Sequence, residues 1–87
     1  MGQHMIKILR LKILGQQRFL LFFSDSRQGV FDLQDYLSKH SGNLLKPLHD
    51  PGFAEKAFID AGALCWPHGL ELSPARLYEL AAMQDAA

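Results

Sequence analysis

The sequence predicts a small α+β domain. It should hold two antiparallel β-hairpins in a mixed or antiparallel sheet, two main helices and one short helical turn. Three observations lead there. Apolar and basic residues alternate through Leu9-Arg10-Leu11-Lys12-Ile13, the two-residue period of a half-buried strand. Asp32, Asp50 and Ser73 are helix N-cap residues, and the last two are followed directly by Pro51 and Pro74, proline being favoured at the first helical position. Hairpin patterns alternate with helical ones along the chain, the order of an α+β domain with mostly antiparallel pairing.

In the first strand, Leu9, Leu11 and Ile13 are expected to face inward, with Arg10 and Lys12 in water. Ile6 and Ile8 lie on the opposite phase, so either a bulge near Ile8-Leu9 or a stretch covered on both faces is expected. Gly15-Gln16-Gln17 is a turn. Residues 18–24 then read as a second strand that is apolar on both faces and therefore central. Asp25-Ser26-Arg27-Gln28-Gly29 is turn-rich, and Val30-Phe31 forms a brief third strand. Capped by Asp32, a helix runs over residues 33–40, with Leu33, Tyr36 or Leu37, and His40 inward, stopped by Ser41-Gly42.

After an irregular stretch, Asp50-Pro51 opens a single helical turn ending at Glu55. Residues 57–60 and 64–66 make the second hairpin around Ala61-Gly62-Ala63, and Pro67 ends it because proline cannot donate to a ladder. The last helix is expected from Pro74 to about Met83, burying Leu77, Leu80 and Ala81 with Tyr78 beside them. Arg76 occupies the place where a capping box wants Glu or Gln, so the Ser73 cap is simple.

The chain has 87 residues, enough for one domain with one core. Met1-Gly2-Gln3-His4 reads as an expression scar, which makes residues 5–87 the expected domain and Met5 the expected native start. No apolar run approaches the roughly 20 residues of a membrane-spanning helix, and no signal peptide is expected. One cysteine, Cys65, excludes an internal disulfide framework and fits the cytoplasm. Formal net charge is zero, which argues against wholesale nucleic-acid affinity. The charge is unevenly spread: residues 5–24 carry four bases and no acid.

No catalytic, metal or cofactor constellation emerges. Cys65 and His68 form one chelating pair, but a structural zinc site needs a second pair. No serine sits in a nucleophile elbow and no glycine-rich phosphate loop is present. Asp60 and Glu71 flank the second hairpin, and a pocket gathering them with His68 would be needed to suggest an enzyme or a small-ligand binder. Two features remain. Arg10, Lys12 and Arg18 form a candidate basic face. Trp66, Pro67, His68 and Tyr78 form a candidate partner-binding group, because an indole at a strand exit either anchors an interface or lids the core.

The segment Trp66-Pro67-x-Gly69-x-x-Leu72-Ser73-Pro74-x-x-Leu77-Tyr78 resembles the signature of a bacterial family, domain of unknown function 2442. Phe23-Ser24-Asp25 resembles that family's Phe-x-Asp-Gly turn, Val30-Phe31-Asp32-Leu33 its Val-x-Asp-Leu, and Leu48-x-Asp50-x-x-Phe53 also fits. Three positions depart from it: His68 stands where asparagine is usual, Glu71 falls one place after the usual acid, and Gly29 follows Asp25 late. The resemblance implies a small α+β fold of paired hairpins and helices and no known activity. It also implies a gene encoded beside small toxin-like partners or on mobile elements, as is frequent in the family. The reading from sequence is therefore a non-enzymatic, cytoplasmic protein-interaction or regulatory module, antitoxin-like, with a protein partner or self-association as a dimer. The alternative is a nucleic-acid-binding accessory using the basic first hairpin. No cofactor and no membrane partner is expected.

Overall fold

The computed structural model describes residues 5–84, and for residues 82–84 the backbone alone. The expected scar at residues 1–4 and the last three residues lie outside it. Along the chain the elements are β1 (Ile8–Gly15), β2 (Arg18–Phe23), β3 (Gln28–Asp32) and α1 (Leu33–Lys39). A 3₁₀ turn (Lys46–His49) and α2 (Pro51–Ala54) follow. The chain continues through β4 (Phe58–Asp60), β5 (Ala63–Cys65), β6 (Glu71–Leu72), α3 (Pro74–Leu80) and β7 (Ala82–Gln84). All pairing is antiparallel, in two sheets: a four-stranded one ordered β1-β2-β3-β7 and a three-stranded one ordered β4-β5-β6.

The three caps form where the residue types demand. Asp32 accepts from the Asp35 amide, Asp50 from Gly52 and Ser73 from Arg76. Helix α1 ends close to where expected, with His40 as its C-cap, but His40 is already extended at φ −136°, ψ 149°, so the stop does not use a left-handed Gly42. Helix α3 ends early. Ala81 turns extended and the next three residues pair with β3 as β7 instead of continuing the helix. Leu80, expected inward, is 46% exposed, while Leu77 and Ala81 are buried.

The first hairpin keeps its expected pairing but shifts its phase. The β1–β2 register jumps between Ile8 and Arg10, placing a bulge at Leu9, one of the two expected arrangements. Its consequence is the reverse of the expected one for Leu9. Ile8, opposite Phe23, is buried, and Leu9 is 63% exposed. Leu11 keeps its inward phase and is half-buried against the core. Ile13 shares that face but is 41% exposed, because β1 is an edge strand. A second register jump lies between Ile13 and Gly15. The connecting turn puts Gln16 and Gln17 at φ 55° and 59°, the twist that a tight hairpin between right-handed strands requires.

One core joins both sheets. Phe19, Leu21, Phe23 and Phe31 cover the inner face of the larger sheet. Leu33 and Leu37 of α1, Leu48, Leu64, Trp66 and Leu77 pack with them. Gln17 is the one buried polar side chain among the described residues. Its amide donates to the Leu48 carbonyl at 2.6 Å, its side-chain oxygen accepts from Gln34, and its main-chain carbonyl accepts from Leu33. One turn residue thus ties the first hairpin to α1 and to the 3₁₀ turn.

Candidate functional site

The three bases of the first hairpin share one surface. Arg10 stands opposite Phe22 and Lys12 opposite Leu20 in the ladder, and opposed residues point to the same face. Arg18 alternates with Leu20 and Phe22 along β2 and so joins them. This face is the one turned away from the core. It carries half-buried Leu20, Phe22 and Val30 between the charges. The Arg10 guanidinium lies 4.0 Å above the Phe22 ring, a cation–π contact that shields the ring. Arg18 stands opposite Asp32 on β3 in the ladder.

Along the same hairpin, β1 stands at the edge of its sheet. Its N-terminal end is covered: the Ile8 amide donates to the Gly62 carbonyl of the β4–β5 turn, and a Cβ on Gly62 would lie 3.0 Å from the Lys7 side chain. Beyond it, Leu9 (63% exposed), Ile13 (41%) and Leu14 (39%) present apolar surface beside Arg10 and Lys12.

The Trp66 group does not assemble into a surface. Trp66 is 1% exposed, so the indole is a core lid and not an interface anchor. Its Nε1–H donates to the Ala54 carbonyl at 3.0 Å, and its ring meets Phe19 edge-on at 6.3 Å. Burial of so large a ring with its polar atom satisfied is a stable core arrangement. Pro67 is exposed in the turn that returns the chain to β6, where Trp66 donates to Leu70 and Gly69 to Trp66. His68, in the same turn, is half-buried. Its Nε2 donates to the Leu44 carbonyl at 2.7 Å, its ring stands edge-on to Phe53 at 5.0 Å, and its Nδ1 is buried without a partner. The side chain staples the turn to the loop after α1.

Tyr78 lies against a different turn. Its hydroxyl donates to Asp25 Oδ2 at 2.6 Å and its ring packs edge-on against Phe23 at 5.0 Å. The Arg27 amide donates to the other Asp25 oxygen. The Tyr78 hydroxyl first, and the Arg27 amide second, hold the Asp25 carboxyl below its ordinary range. The same bond to Asp25 raises the Tyr78 phenol. Sequence reasoning names both residues in separate motifs but misses their bond across 53 positions. Nothing in either segment signals the pairing, since each carries other polar residues, Ser24 in one and His68, Glu71, Ser73 and Arg76 in the other. Gln17 was missed outright, since a glutamine in a polar turn gives no sign of burial.

Asp60 and Glu71 do converge, on a shallow depression that also reaches Cys65, Pro67 and Leu70. His68 is not part of its lining. Burial first, then the charges of Glu71 and Asp60, push the Cys65 thiol up, which keeps it protonated and weakly nucleophilic. Among the described residues no group of three or more His, Cys, Asp or Glu is placed to hold a metal ion, and no helix is long and apolar enough to cross a membrane.

The fold and these placements define a small α+β domain with two antiparallel sheets on one core and a basic, partly apolar sheet edge. The chain belongs to the family described as "Protein of unknown function (DUF2442)", whose model matches residues 8–82. No curated protein and no solved structure matches the chain.

Proposed function

We propose that this chain is a non-enzymatic, cytoplasmic protein-interaction module whose docking surface is β1 and the adjoining outer face of the larger sheet. The observation that carries it is the run of exposed Leu9, Ile13 and Leu14 on one edge strand. An exposed apolar edge marks a place where another chain can pair. The single cysteine, buried and unpaired, fits a reducing compartment. An antitoxin-like role within this reading rests on the family resemblance alone.

The test is co-expression with the product of each adjacent gene, followed by size-exclusion chromatography with light scattering. A stoichiometric complex that Ile13→Asp weakens is expected. A chain that forms no complex, or a complex indifferent to Ile13, overturns the reading.

One observation favours nucleic acid as a second reading: Arg10, Lys12 and Arg18 share one face with Phe22. Against it, the Arg10 guanidinium already occupies one side of the Phe22 ring, where a base would stack. Oligonucleotide binding that weakens steeply with salt and is lost in R10A/K12A would establish it over the first.

A further inference from the structure

The exposed edge of β1 has a defined hydrogen-bonding phase. Phe23 donates to Arg27 on the β3 side of β2, so Phe22 and Leu20 turn their main-chain groups toward β1, where Arg10 and Lys12 meet them. Leu11 and Ile13 therefore turn theirs outward, along an edge with no further strand among the described residues. The covered stretch ends at Ile8, whose amide is already bonded to Gly62. Bulges at Leu9 and next to Leu14 bracket residues 10–13, which remain regular.

Side chains on this stretch are sorted by face. Arg10 and Lys12 stand on the outer face, and Leu11 and Ile13 on the inner one. A strand added here would place every second residue beside the bases and the others beside the leucine and isoleucine. A second copy of this chain fits badly. Antiparallel self-pairing centred on Leu11 puts Arg10 opposite Lys12 of the other copy twice over, and like charges directly opposed are destabilising. The same charges welcome carboxylates.

We propose that residues 10–13 of β1 accept an extended segment of a partner protein as an added strand, and that this segment alternates acidic with apolar side chains. The inference rests on the protein-interaction reading and names the partner's chemistry. Main-chain bonds to Leu11 and Ile13 supply the pairing, carboxylates meet Arg10 and Lys12, and apolar residues extend the half-covered surface of Leu11 and Ile13. The two bulges restrict pairing to a short segment, so a lone peptide binds weakly and the full partner adds contacts around Leu9 and Leu14.

The probe is an acetylated ten-residue peptide alternating glutamate and valine, titrated into the ¹⁵N-labelled chain and followed by NMR. Amide shifts are expected at residues 9–14, with affinity about tenfold above that for a lysine–valine peptide. Methylating every peptide nitrogen abolishes binding, and the double variant R10E/K12E reverses the preference, which also proves that the variant folds. Shifts elsewhere, equal binding of a peptide with its glutamates and valines in separate blocks, or no binding at millimolar concentration overturns the inference. A complex with an adjacent gene's product that leaves the β1 amides unshifted overturns strand addition alone. The absence of any such complex overturns the interaction reading itself.

Discussion

Strand β1 and the corner after β5 are built from opposite materials. The corner holds the chain's one tryptophan, followed by Pro67, His68 and Gly69, within its most distinctive motif. Strand β1 holds repeated leucine and isoleucine with one arginine and one lysine between them. Yet the corner spends its chemistry inward: the Trp66 indole bonds Ala54 and meets Phe19, and His68 bonds Leu44. The plain strand is the one that leaves leucine, isoleucine and charge in contact with water. A distinctive motif here marks a packing constraint with few solutions.

This contrast can be broken most decisively at the corner. Trp66→Ala should destabilise the fold by about 3–5 kcal/mol, a large part of the stability of a domain this size, read from urea unfolding. Trp66→Phe should cost less, about 1–3 kcal/mol, from the carbonyl of Ala54 left unpaired and the smaller ring. If Trp66→Ala unfolded at the same urea concentration as the parent, the corner would be a surface after all.

Gln17→Ala should come next, at about 1–3 kcal/mol, because it leaves the buried Leu48 carbonyl without its donor. The Asp25–Tyr78 bond should give a smaller, pH-dependent effect. The Asp25 carboxyl is lowered in the folded chain, so the stability it contributes is present above its unfolded value and lost as pH falls through the folded one. The Tyr78 phenol is raised, so its contribution holds below its unfolded value and is lost as pH climbs through the folded one. The melting temperatures of the parent and Tyr78→Phe should therefore differ most near neutrality and converge below about pH 4 and above about pH 10. A difference independent of pH would show that the ring contact with Phe23, not the hydrogen bond, is what the substitution perturbs.

The smallest effect on stability belongs to β1. R10E/K12E should change unfolding free energy by no more than about 0.5 kcal/mol, although it reverses the peptide preference. A large loss of stability there would mean that Arg10 over Phe22 is structural, and would sharpen the comparison by making the outer face part of the fold.

Much of the fold was legible because it depends on neighbours in sequence. The caps at Asp32, Asp50 and Ser73 form from side chains that reach amides two or three residues ahead. The hairpin β4–β5 follows from a short apolar run, a turn at Ala61-Gly62 and a second apolar run. What was missed depends on partners far away. Leu80-Ala81-Ala82-Met83 consists of good helix formers, but β3 offers an edge at residues 28–30, and the chain leaves the helix to pair there. Glu71 and Leu72 are too few to show a period and become β6 only because β5 lies alongside. The candidate site divides the same way. The common face of Arg10, Lys12 and Arg18 followed from alternation, whereas the fate of Trp66 and His68 turned on Ala54, Phe19, Leu44 and Phe53.

By itself, then, the sequence determined the α+β class, the hairpins and the capped helix starts, all set by local propensity and short-range hydrogen bonding, and left Ile8-Leu9 as either a bulge or a stretch covered on both faces. Only the tertiary structure decided that a bulge forms and which side of it is buried. Ile8 sits opposite Phe23 with its amide on Gly62, so Leu9 was turned out to solvent. The side on which a bulged strand buries its residues is chosen by what it meets in the folded chain, and one of those partners, Gly62, lies more than fifty residues away.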